Sequence, residues 1–208
     1  MTITLPKIYP ITDAQLSGLS HSEQVERLLA GGASLVQLRE KNLPAQAFYA
    51  AAAAAVRLAR SAGAKIIIND RVDVALALQA DGVHLGQSDL PVAAARRLLG
   101  DGAVIGYSTH NLEQVRAALR LSIDYLAFGP IFPTNSKQNP DPVAGLNALA
   151  RVQSLAAPLP VVAIGGINQT NLRAVLDGGA NSAAIISAIV GPPEAITERF
   201  RDLTALAD

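Results

Sequence analysis

The sequence Lys65-Ile66-Ile67-Ile68-Asn69-Asp70 is a run of β-branched residues that ends in an amide and an acid. A second apolar run, Gly82-Val83-His84-Leu85-Gly86, is followed by Asp89. Short apolar runs bounded by polar and turn residues predict buried strands. Two carboxylates that follow two such strands, with no basic residue beside Asp89, indicate a magnesium site. The alternative is that both acids cap helix N-termini.

The same kind of apolar run recurs along the whole chain. The predicted strands are Lys7–Thr12, Leu35–Arg39, Lys65–Asn69, Gly82–Leu85, Val104–Ser108, Tyr125–Phe128, Pro160–Ile164 and Ser182–Ile186. Longer segments with helical spacing separate them, among them Ser20–Ala30, Pro44–Ala62, Pro91–Leu99, Asn111–Leu121 and Thr170–Gly178. Strands that alternate with helices predict right-handed βαβ units and a parallel sheet. Eight such units predict an α/β fold, a single-domain TIM (β/α)8 barrel over residues 1–208.

Two features bear on the choice between this barrel and an open doubly wound sheet. No Gly-x-Gly-x-x-Gly follows the first strand, which argues against a dinucleotide-binding form of the open sheet. Small or polar residues also introduce four strands in a similar way, at Gly32-Ala33-Ser34-Leu35, Ala80-Asp81-Gly82-Val83, Ile123-Asp124-Tyr125-Leu126 and Gly179-Ala180-Asn181-Ser182. This repetition suits quarter-barrel symmetry, or it reflects the ordinary preference of helix ends for Gly, Asn and Asp.

The composition of the chain excludes several classes of function. Its 208 residues carry 17 basic and 17 acidic side chains, and 4% of them are aromatic, so nucleic-acid binding is not expected. The lack of cysteine removes disulfides, thiolate metal sites and a cysteine nucleophile, and it suits a cytoplasmic protein. We recognise no signal peptide and no membrane-spanning stretch. The mean hydropathy of +0.28 predicts a dense core and is compatible with a homo-oligomer.

In a barrel of this type the active site lies at the carboxyl ends of the strands. At the end of the second strand, the alternation of side chains places Gln37, Arg39 and Lys41 on one face. An amide, a guanidinium and an ammonium that point into one barrel mouth would hold an anion, since Arg binds phosphate through a bidentate fork. The alternative is a solvated charged turn in which Glu40 pairs locally.

Further donors follow the fifth and sixth predicted strands. Ser108 ends the fifth strand, where its hydroxyl would either donate to a phosphate oxygen or cap the next helix. The long connection Gly129–Gly145 contains Thr134, Ser136 and Lys137. Connections of this length in a compact domain are usually functional or disordered, and this one again supplies donors around a cation.

The seventh and eighth strands end in Gly165-Gly166 and in Ile186-Ser187. Phosphate-binding barrels place backbone amides and a helix N-terminus against a phosphate at this location, and glycines let the backbone approach a ligand closely. The predicted mouth therefore has two anion sites, one cationic and metal-assisted and the other neutral and made of backbone. Two phosphorylated ligands, one of them a diphosphate, fit this division.

Seven sequence blocks, in this order and spacing, resemble the thiamine-phosphate synthase family over nearly the whole chain. The blocks are Gln37–Lys41, Ile68–Arg71, Asp81–Pro91, Gly106–His110, Gly129–Lys137, Ala163–Ile167 and Ile186–Ile189. The resemblance implies a TIM-barrel transferase of thiamine biosynthesis that uses Mg2+. It implies that a hydroxymethylpyrimidine diphosphate is joined to a thiazole phosphate, in its plain or carboxylated form, with release of pyrophosphate.

The resemblance also implies roles for individual residues. The contacts of the pyrimidine diphosphate are Gln37, Arg39, Lys41, Asn69, Ser108 and Lys137. The magnesium ligands are Asp70 and Asp89. The contacts of the thiazole phosphate are Thr134, Ser136, Gly166, Ile186 and Ser187. Catalysis is assigned to Arg39, Lys41, Ser108 and Lys137. Asn135-Ser136 departs from the Ser-Thr or similar pair of many members, although Ser136 keeps a hydroxyl.

Three other functions are compatible with the same fold. A thiazole tautomerase would need neither metal nor diphosphate and would use an acid/base group, for which His110 is the candidate. A ligand-binding barrel without activity would keep the pocket, and a sugar-phosphate epimerase would keep only the phosphate site of the last two strands. The features that argue against all three are Arg39, Lys41, Asn69, Asp70 and Asp89.

Overall fold

The fold is a closed barrel of eight parallel strands, as the sequence predicts. The computed structural model describes residues 4–134 and 141–208. The strands are β1 (Ile8–Asp13), β2 (Leu35–Arg39), β3 (Lys65–Asn69), β4 (Gly82–Leu85), β5 (Val104–Thr109), β6 (Tyr125–Phe128), β7 (Val161–Ile164) and β8 (Ser182–Ile185). Each strand pairs with the next, and β8 closes the barrel against β1, which excludes the open sheet.

Helices surround the barrel between these strands. They are α1 (Ala14–Ser17), α2 (His21–Ala30), α3 (Ala45–Ser61), α4 (Val72–Leu78), α5 (Val92–Leu99), α6 (Leu112–Ala118), α7 (Gly145–Ala156), α8 (Leu172–Asp177), α9 (Ser187–Val190) and α10 (Ile196–Ala207), with a short 3-10 helix at Pro193–Ala195. The helix predicted to reach Leu121 is shorter than expected, because Arg120 and Leu121 donate to carbonyls three residues back, which closes the turn after Ala118.

The alternation of side chains along the strands divides the core into two layers. In β3, Ile66 and Ile68 point outward into the layer between strands and helices, whereas Ile67 points into the barrel. In β2, Leu38 is likewise in the outer layer and Leu35 in the inner one. The barrel interior is therefore a packed, mainly apolar core at its lower levels.

The repeated polar residues before the even-numbered strands make the same contact in three quarters of the barrel. In each of these quarters the side chain of the polar residue accepts a hydrogen bond from the backbone N–H of a strand residue. The backbone N–H of the polar residue donates to the carbonyl of that same strand residue. The three pairs are Asp81 with Ile66, Asp124 with Ile105 and Asn181 with Val161, each with a side-chain bond of 2.8 Å. The sequence repetition thus reflects barrel symmetry and is more than a preference of helix ends.

The alanine run in α3 packs closely against the sheet. Ala52, Ala55 and Ala59 are fully buried, which agrees with the helix predicted for this alanine-rich segment. Although α3 is the longest helix of the described residues, neither it nor any other helix in those two ranges is long and apolar enough to cross a membrane.

Candidate active site

A cavity of about 480 Å³ opens at the carboxyl ends of the strands. Every predicted site residue that the structure describes lines it. These residues are Gln37, Arg39, Lys41, Asn69, Asp70, Asp89, Ser108, Thr134, Gly166, Ile186 and Ser187. The other two predicted residues, Ser136 and Lys137, lie outside the described ranges. The fold therefore brings together groups that are spread over most of the sequence.

Asp70 and Asp89 are not helix caps, which was the alternative left open by the sequence. The N-cap of α4 is Arg71 and that of α5 is Pro91, and neither helix has a side-chain cap. Asp70 has a φ of +62°, a left-handed conformation that Asp adopts more readily than most residues. Its N–H donates to the carbonyl of His84 at 2.8 Å, which fixes the turn at the end of β3 to the neighbouring strand.

The two carboxylates influence each other directly. Burial raises the pKa of the Asp89 carboxyl above its ordinary value, and the charge of Asp70 and a hydrogen bond with it raise this pKa further. The N–H of Gly86 opposes this effect by donating to Asp89 at 2.7 Å. Lys41 forms an ion pair with Asp70. Asp70 and Asp89 thus lie side by side at the rim, and the ammonium of Lys41 pairs with Asp70.

This donor set fits Mg2+ better than a metal that needs a complete protein cage. Among the residues of the two described ranges there is no group of three or more His, Cys, Asp or Glu side chains that could hold an ion. Mg2+ is commonly bound by one or two carboxylates and fills its remaining positions with water and substrate phosphate oxygens. Asp70 and Asp89 would be the ligands that the protein supplies to Mg2+.

Arg39 is oriented by an acid that the sequence analysis did not single out. Asp13, the last residue of β1, accepts from the Arg39 guanidinium at 2.9 Å, and both side chains are largely buried. Asp13 also caps α1 by accepting from the N–H of Leu16 at 3.0 Å. The pair keeps the guanidinium at the cavity wall. The only sequence signal for Asp13 was an acid at the end of a strand, which a helix cap explains equally well.

The alternative of a solvated charged turn holds only in part, because Glu40 pairs locally but is almost buried, and its neighbours Arg39 and Lys41 line the cavity. Glu40 accepts from the N–H groups of Asn42 and Leu43, at 2.7 Å and 3.3 Å, and lies 3.5 Å from the imidazole of His21. Because Glu40 points away from the cavity, it does not neutralise Arg39 there. The turn after β2 thus contains both features that the sequence offered as alternatives.

Asn69 presents an unused donor inside the cavity. Its side-chain nitrogen is buried and has no hydrogen-bond partner among the described residues, although the residue lines the cavity. A buried amide without a partner carries a free-energy cost of about 1–3 kcal/mol, which a ligand that accepts its hydrogen bond would remove. This observation is independent of the carboxylates and points to a ligand with acceptor atoms.

A row of hydrogen-bonded polar side chains crosses the barrel beneath the cavity. Gln37, Tyr9, Tyr125, His84 and Ser108 contact one another in that order. Burial raises the pKa values of both tyrosines, so their hydroxyls stay protonated. Burial lowers the pKa of His84 to about 4, so the imidazole is neutral at physiological pH. This row is polar but uncharged.

Ser108 is held by this row and does not cap the next helix. The N-cap of α6 is Asn111, whose side chain accepts from Gln114. The Ser108 hydroxyl lies 2.8 Å from the Nε2 of His84, and its carbonyl accepts from Gln87 at 2.6 Å. The tyrosines, His84 and Gln87 were not predicted as site residues. The sequence signal for the tyrosines was a polar aromatic residue at an inward position of a strand.

Backbone forms the opposite side of the cavity. Gly165 and Gly166 have φ values of +101° and +65°, and a Cβ on either would lie within 2.5 Å of the loop after β6. That loop pairs with the end of β7, since Ile131 donates to Ile164 at 2.9 Å and Phe132 to Gly165 at 3.0 Å. Both glycines are therefore required by conformation and by close approach.

The eighth strand ends at the same side. α9 begins at Ser187, with one residue between it and the end of β8, so its N-terminus lies at the cavity rim beside Ile186. We call the rim formed by Arg39, Lys41, Asp70 and Asp89 the charged half of the cavity. The neutral half is formed by Gly165, Gly166, Ile186 and Ser187.

His110, the candidate acid/base group of a tautomerase, is hydrogen-bonded through one ring nitrogen and lies near an acid with the other. Its Nδ1 lies 2.7 Å from the carbonyl of Gly129, and its Nε2 lies 3.6 Å from the carboxylate of Asp141. The imidazole thus joins the first residue of the long connection to a residue near its end. These contacts describe a structural role at the cavity wall.

Comparisons with known proteins agree on one family. A family model described as thiamine monophosphate synthase matches residues 8–189. A thiamine-phosphate synthase of Chloroflexus aurantiacus is 45% identical over 201 residues, covering 96% of this chain and 92% of the relative. One of Methanocella arvoryzae is 44% identical over 200 residues, covering 96% and 93%. The solved structure of thiamine phosphate pyrophosphorylase from Pyrococcus furiosus has a TM-score of 0.86 at 37% identity, covering 97% of this chain and 95% of that one.

Proposed function

The chain belongs to the thiamine monophosphate synthase family, and we propose that it joins a hydroxymethylpyrimidine diphosphate to a thiazole phosphate, with release of pyrophosphate. The family match over residues 8–189 confirms the resemblance of the sequence blocks. Relatives that match over nearly the full length of both chains are thiamine-phosphate synthases, and the chain is accordingly a transferase of thiamine biosynthesis. The proposal adds the two substrates, the use of Mg2+ and the roles of individual residues.

The pair Asp70 and Asp89 is the observation that carries this proposal. Burial and the neighbouring charge of Asp70 raise the pKa of Asp89 at the cavity rim, and a divalent cation held by the two carboxylates would stabilise the ionised form. A bound Mg2+ ion would supply positive charge to the departing pyrophosphate. A tautomerase has no need of these acids, and no described contact favours it.

On the charged half, the residues would hold the diphosphate before the reaction. Arg39 would present its guanidinium in the orientation set by Asp13, and Lys41 would move its ammonium from Asp70 to the phosphate oxygens. The free amide of Asn69 would gain an acceptor. Such groups stabilise the charge that develops on the leaving group and need little reorganisation to do so. Lys137 is proposed to add a further cation there.

On the neutral half, backbone donors would hold the thiazole phosphate. Gly166, Ile186 and Ser187 are proposed as its contacts, together with Thr134 and Ser136. A helix N-terminus and glycine amides bind phosphate without a cation. This arrangement would keep the thiazole phosphate apart from the diphosphate, so that each substrate has its own anion site. Holding both in one cavity would convert their encounter into a reaction within the complex.

The chemistry proposed is a dissociative substitution. The carbon–oxygen bond to pyrophosphate would break first, and the ring nitrogen of the thiazole would then capture the carbocation at the pyrimidine methylene. Ile11, Ala127, Val162 and Ala184 are buried apolar residues that line the cavity between the two halves. These side chains would exclude water from the carbocation, because water would otherwise react with the carbocation before the thiazole nitrogen could. No protein nucleophile is required.

The direct test is to incubate the purified protein with both substrates and Mg2+ and to measure thiamine phosphate and pyrophosphate. We expect equal amounts of the two products. Omission of either substrate, or removal of Mg2+ with a chelator, is expected to abolish both. Release of pyrophosphate without the thiazole phosphate would contradict coupling of the two sites. Isomerisation of the thiazole alone, without Mg2+, would replace the proposal with the tautomerase.

Two broader expectations stay proposals. A cytoplasmic location is supported by the absence of cysteine, which suits a reducing compartment. Assembly into a homo-oligomer is compatible with the positive mean hydropathy. The partners proposed for the chain are its phosphorylated small-molecule substrates.

A further inference from the structure

We propose that Gln37, Tyr9, Tyr125 and His84 form a hydrogen-bond chain with a single direction, which turns the hydroxyl proton of Ser108 into the cavity. In this chain His84 is a positioning residue and carries its proton on Nε2. The inference rests on the proposed function in one respect, namely that Ser108 donates to the diphosphate substrate. The hydrogen-bond direction itself is a property of the protein alone.

The hydrogen-bond chain is continuous from one side of the barrel to the other. The amide nitrogen of Gln37 donates to the Tyr9 hydroxyl at 3.2 Å, and this hydroxyl lies 3.1 Å from that of Tyr125. The Tyr125 hydroxyl lies 2.9 Å from the Nδ1 of His84, and the Nε2 of His84 lies 2.8 Å from the Ser108 hydroxyl. Each of these distances is within the range of a formed hydrogen bond.

The number of protons fixes the direction. A hydroxyl has one proton to donate, and a buried proton without an acceptor is costly, so each buried tyrosine that accepts from one neighbour donates to the other. Gln37 starts the chain as a donor, so Tyr9 donates to Tyr125 and Tyr125 donates to Nδ1 of His84. A neutral imidazole that accepts at Nδ1 carries its proton at Nε2. His84 therefore donates to the oxygen of Ser108, and the serine proton is left free.

The hydroxyl proton of Ser108 is available to a ligand in the cavity. Ser108 lines the cavity, and its hydroxyl oxygen already accepts from His84. The proton therefore points toward the space where the proposed diphosphate lies. The opposite direction would start from a Gln37 amide turned about, with its oxygen toward Tyr9. Ser108 would then donate to His84 and would offer a substrate phosphate only its lone pairs, which repel an anion.

Packing holds this chain in place. His84 stacks on the Tyr125 ring with centroids 5.5 Å apart and an angle of 22°, and Tyr9 meets the same ring edge-on at 6.0 Å. Tyr9 and Tyr125 are almost completely buried, and Gln37 and His84 nearly so. Side chains locked by packing cannot turn their donors away, so the serine hydroxyl is oriented before a substrate binds.

The first test is the tautomer of His84 by nitrogen-15 NMR on the full-length protein labelled at histidine. The signal of His84 is assigned by its loss in His84→Gln. At neutral pH and without substrates we expect Nε2 protonated and Nδ1 bare. A proton on Nδ1 would overturn the proposal, since the chain would then run toward Gln37. In Tyr125→Phe, which removes the donor to Nδ1, we expect a mixture of the two tautomers.

The second test separates positioning from folding with two substitutions of similar size. The amide of His84→Gln reaches the Nε2 position and keeps a donor for Ser108, whereas that of His84→Asn reaches only the Nδ1 position. We expect kcat to fall roughly 10- to 100-fold in His84→Asn and much less in His84→Gln, with the KM of the diphosphate changing little. Equal losses in both variants, with equal stability by thermal unfolding, would contradict the proposal.

The dependence on Ser108 is the last part of the test. If His84 acts through Ser108, then His84→Asn causes little further loss of kcat in a protein that already carries Ser108→Ala. Multiplicative losses would overturn the positioning role. The outcomes also stay distinguishable from those of the proposed function. A wild-type protein that makes no thiamine phosphate refutes the function, whereas the NMR result still decides the direction of the chain.

Discussion

The charged half and the neutral half of the cavity, each proposed to bind an anion, are built from different kinds of groups. The charged half uses long side chains held by acids, as in the pairs Arg39 with Asp13 and Lys41 with Asp70. The neutral half uses backbone at Gly165 and Gly166, fixed by the loop after β6. In the proposed reaction this difference assigns the departing pyrophosphate to the charged half. Charges that can be rearranged suit a leaving group, whereas rigid backbone suits a phosphate that is only held.

The largest expected effect is on the charged half. In Asp89→Asn the amide keeps an oxygen for the N–H of Gly86, but the second carboxylate is lost. We expect kcat to fall roughly a hundredfold or more, because the stabilisation of the leaving group by Mg2+ is weakened. More Mg2+ should be needed for half of the remaining activity. Thiamine phosphate formation as a function of Mg2+ concentration measures both.

The matched control for this change is Asp73→Asn. Asp73 is an exposed acid in the first turn of α4, and it pairs with Arg71. Its substitution is expected to leave kcat and the Mg2+ requirement unchanged. Asp89→Asn with full activity in the presence of a chelator would refute the magnesium site and remove the contrast between the halves.

A smaller effect is expected on the neutral half. In Gly166→Ala the new Cβ would lie 2.4 Å from the carbonyl oxygen of Pro133, at a φ of +65°. We expect the KM of the thiazole phosphate to rise roughly tenfold, with the KM of the diphosphate nearly unchanged. The free energy of unfolding should fall by roughly 2–3 kcal/mol, from backbone strain and the displaced loop. Steady-state kinetics and denaturant unfolding measure these quantities.

Gly18→Ala is a close control for the conformational part of this effect. Gly18 has a φ of +69° but nothing within 4 Å of an added Cβ. It lies in the turn after α1, and its substitution should cost only the strain, about 1 kcal/mol, with both KM values unchanged. Equal losses in the two variants would mean that the loop contact at Gly166 contributes nothing.

The smallest expected effect comes from salt. The charged half attracts its substrate with partly exposed cations, so the KM of the diphosphate should rise several-fold between 0.05 M and 0.5 M salt at saturating Mg2+. The KM of the thiazole phosphate should rise less, because backbone donors carry no net charge. A wild-type protein with equal salt dependence for both substrates would show that a common field, and not two separate anion sites, binds them.

The sequence was sufficient to predict the barrel and to name many residues that line its cavity, for reasons that particular residues illustrate. Apolar runs such as Lys65–Asn69 are local signals, and each of the eight predicted strands lies within one residue of the observed one. The candidate roles of Arg39 and Asp70 could be inferred from such runs, because these residues lie at the carboxyl ends of strands and parallel strands bring those ends to one side of the barrel. The helix ends were predicted less well, since the end of α6 depends on hydrogen bonds three residues apart.

Asp13, Tyr9, Tyr125 and His84 could not be assigned in this way. Each is a residue that a strand or a helix cap explains locally, and its role depends on partners that are distant in the chain. The Tyr9 and Tyr125 hydroxyls, for example, are 116 residues apart in sequence and 3.1 Å apart in space. A contact between residues so far apart in sequence cannot be predicted from local sequence patterns.

The order of strands and helices, the end of the barrel that bears the candidate site, and the family can all be read from the sequence. These depend on local hydrophobic spacing and on motifs of a few residues. Only the tertiary structure decided that Asp70 and Asp89 act on each other and cap no helix. It alone also placed an uncharged row of side chains behind Ser108. Electrostatic coupling and hydrogen-bond direction depend on distances between strands, which are set when the barrel closes.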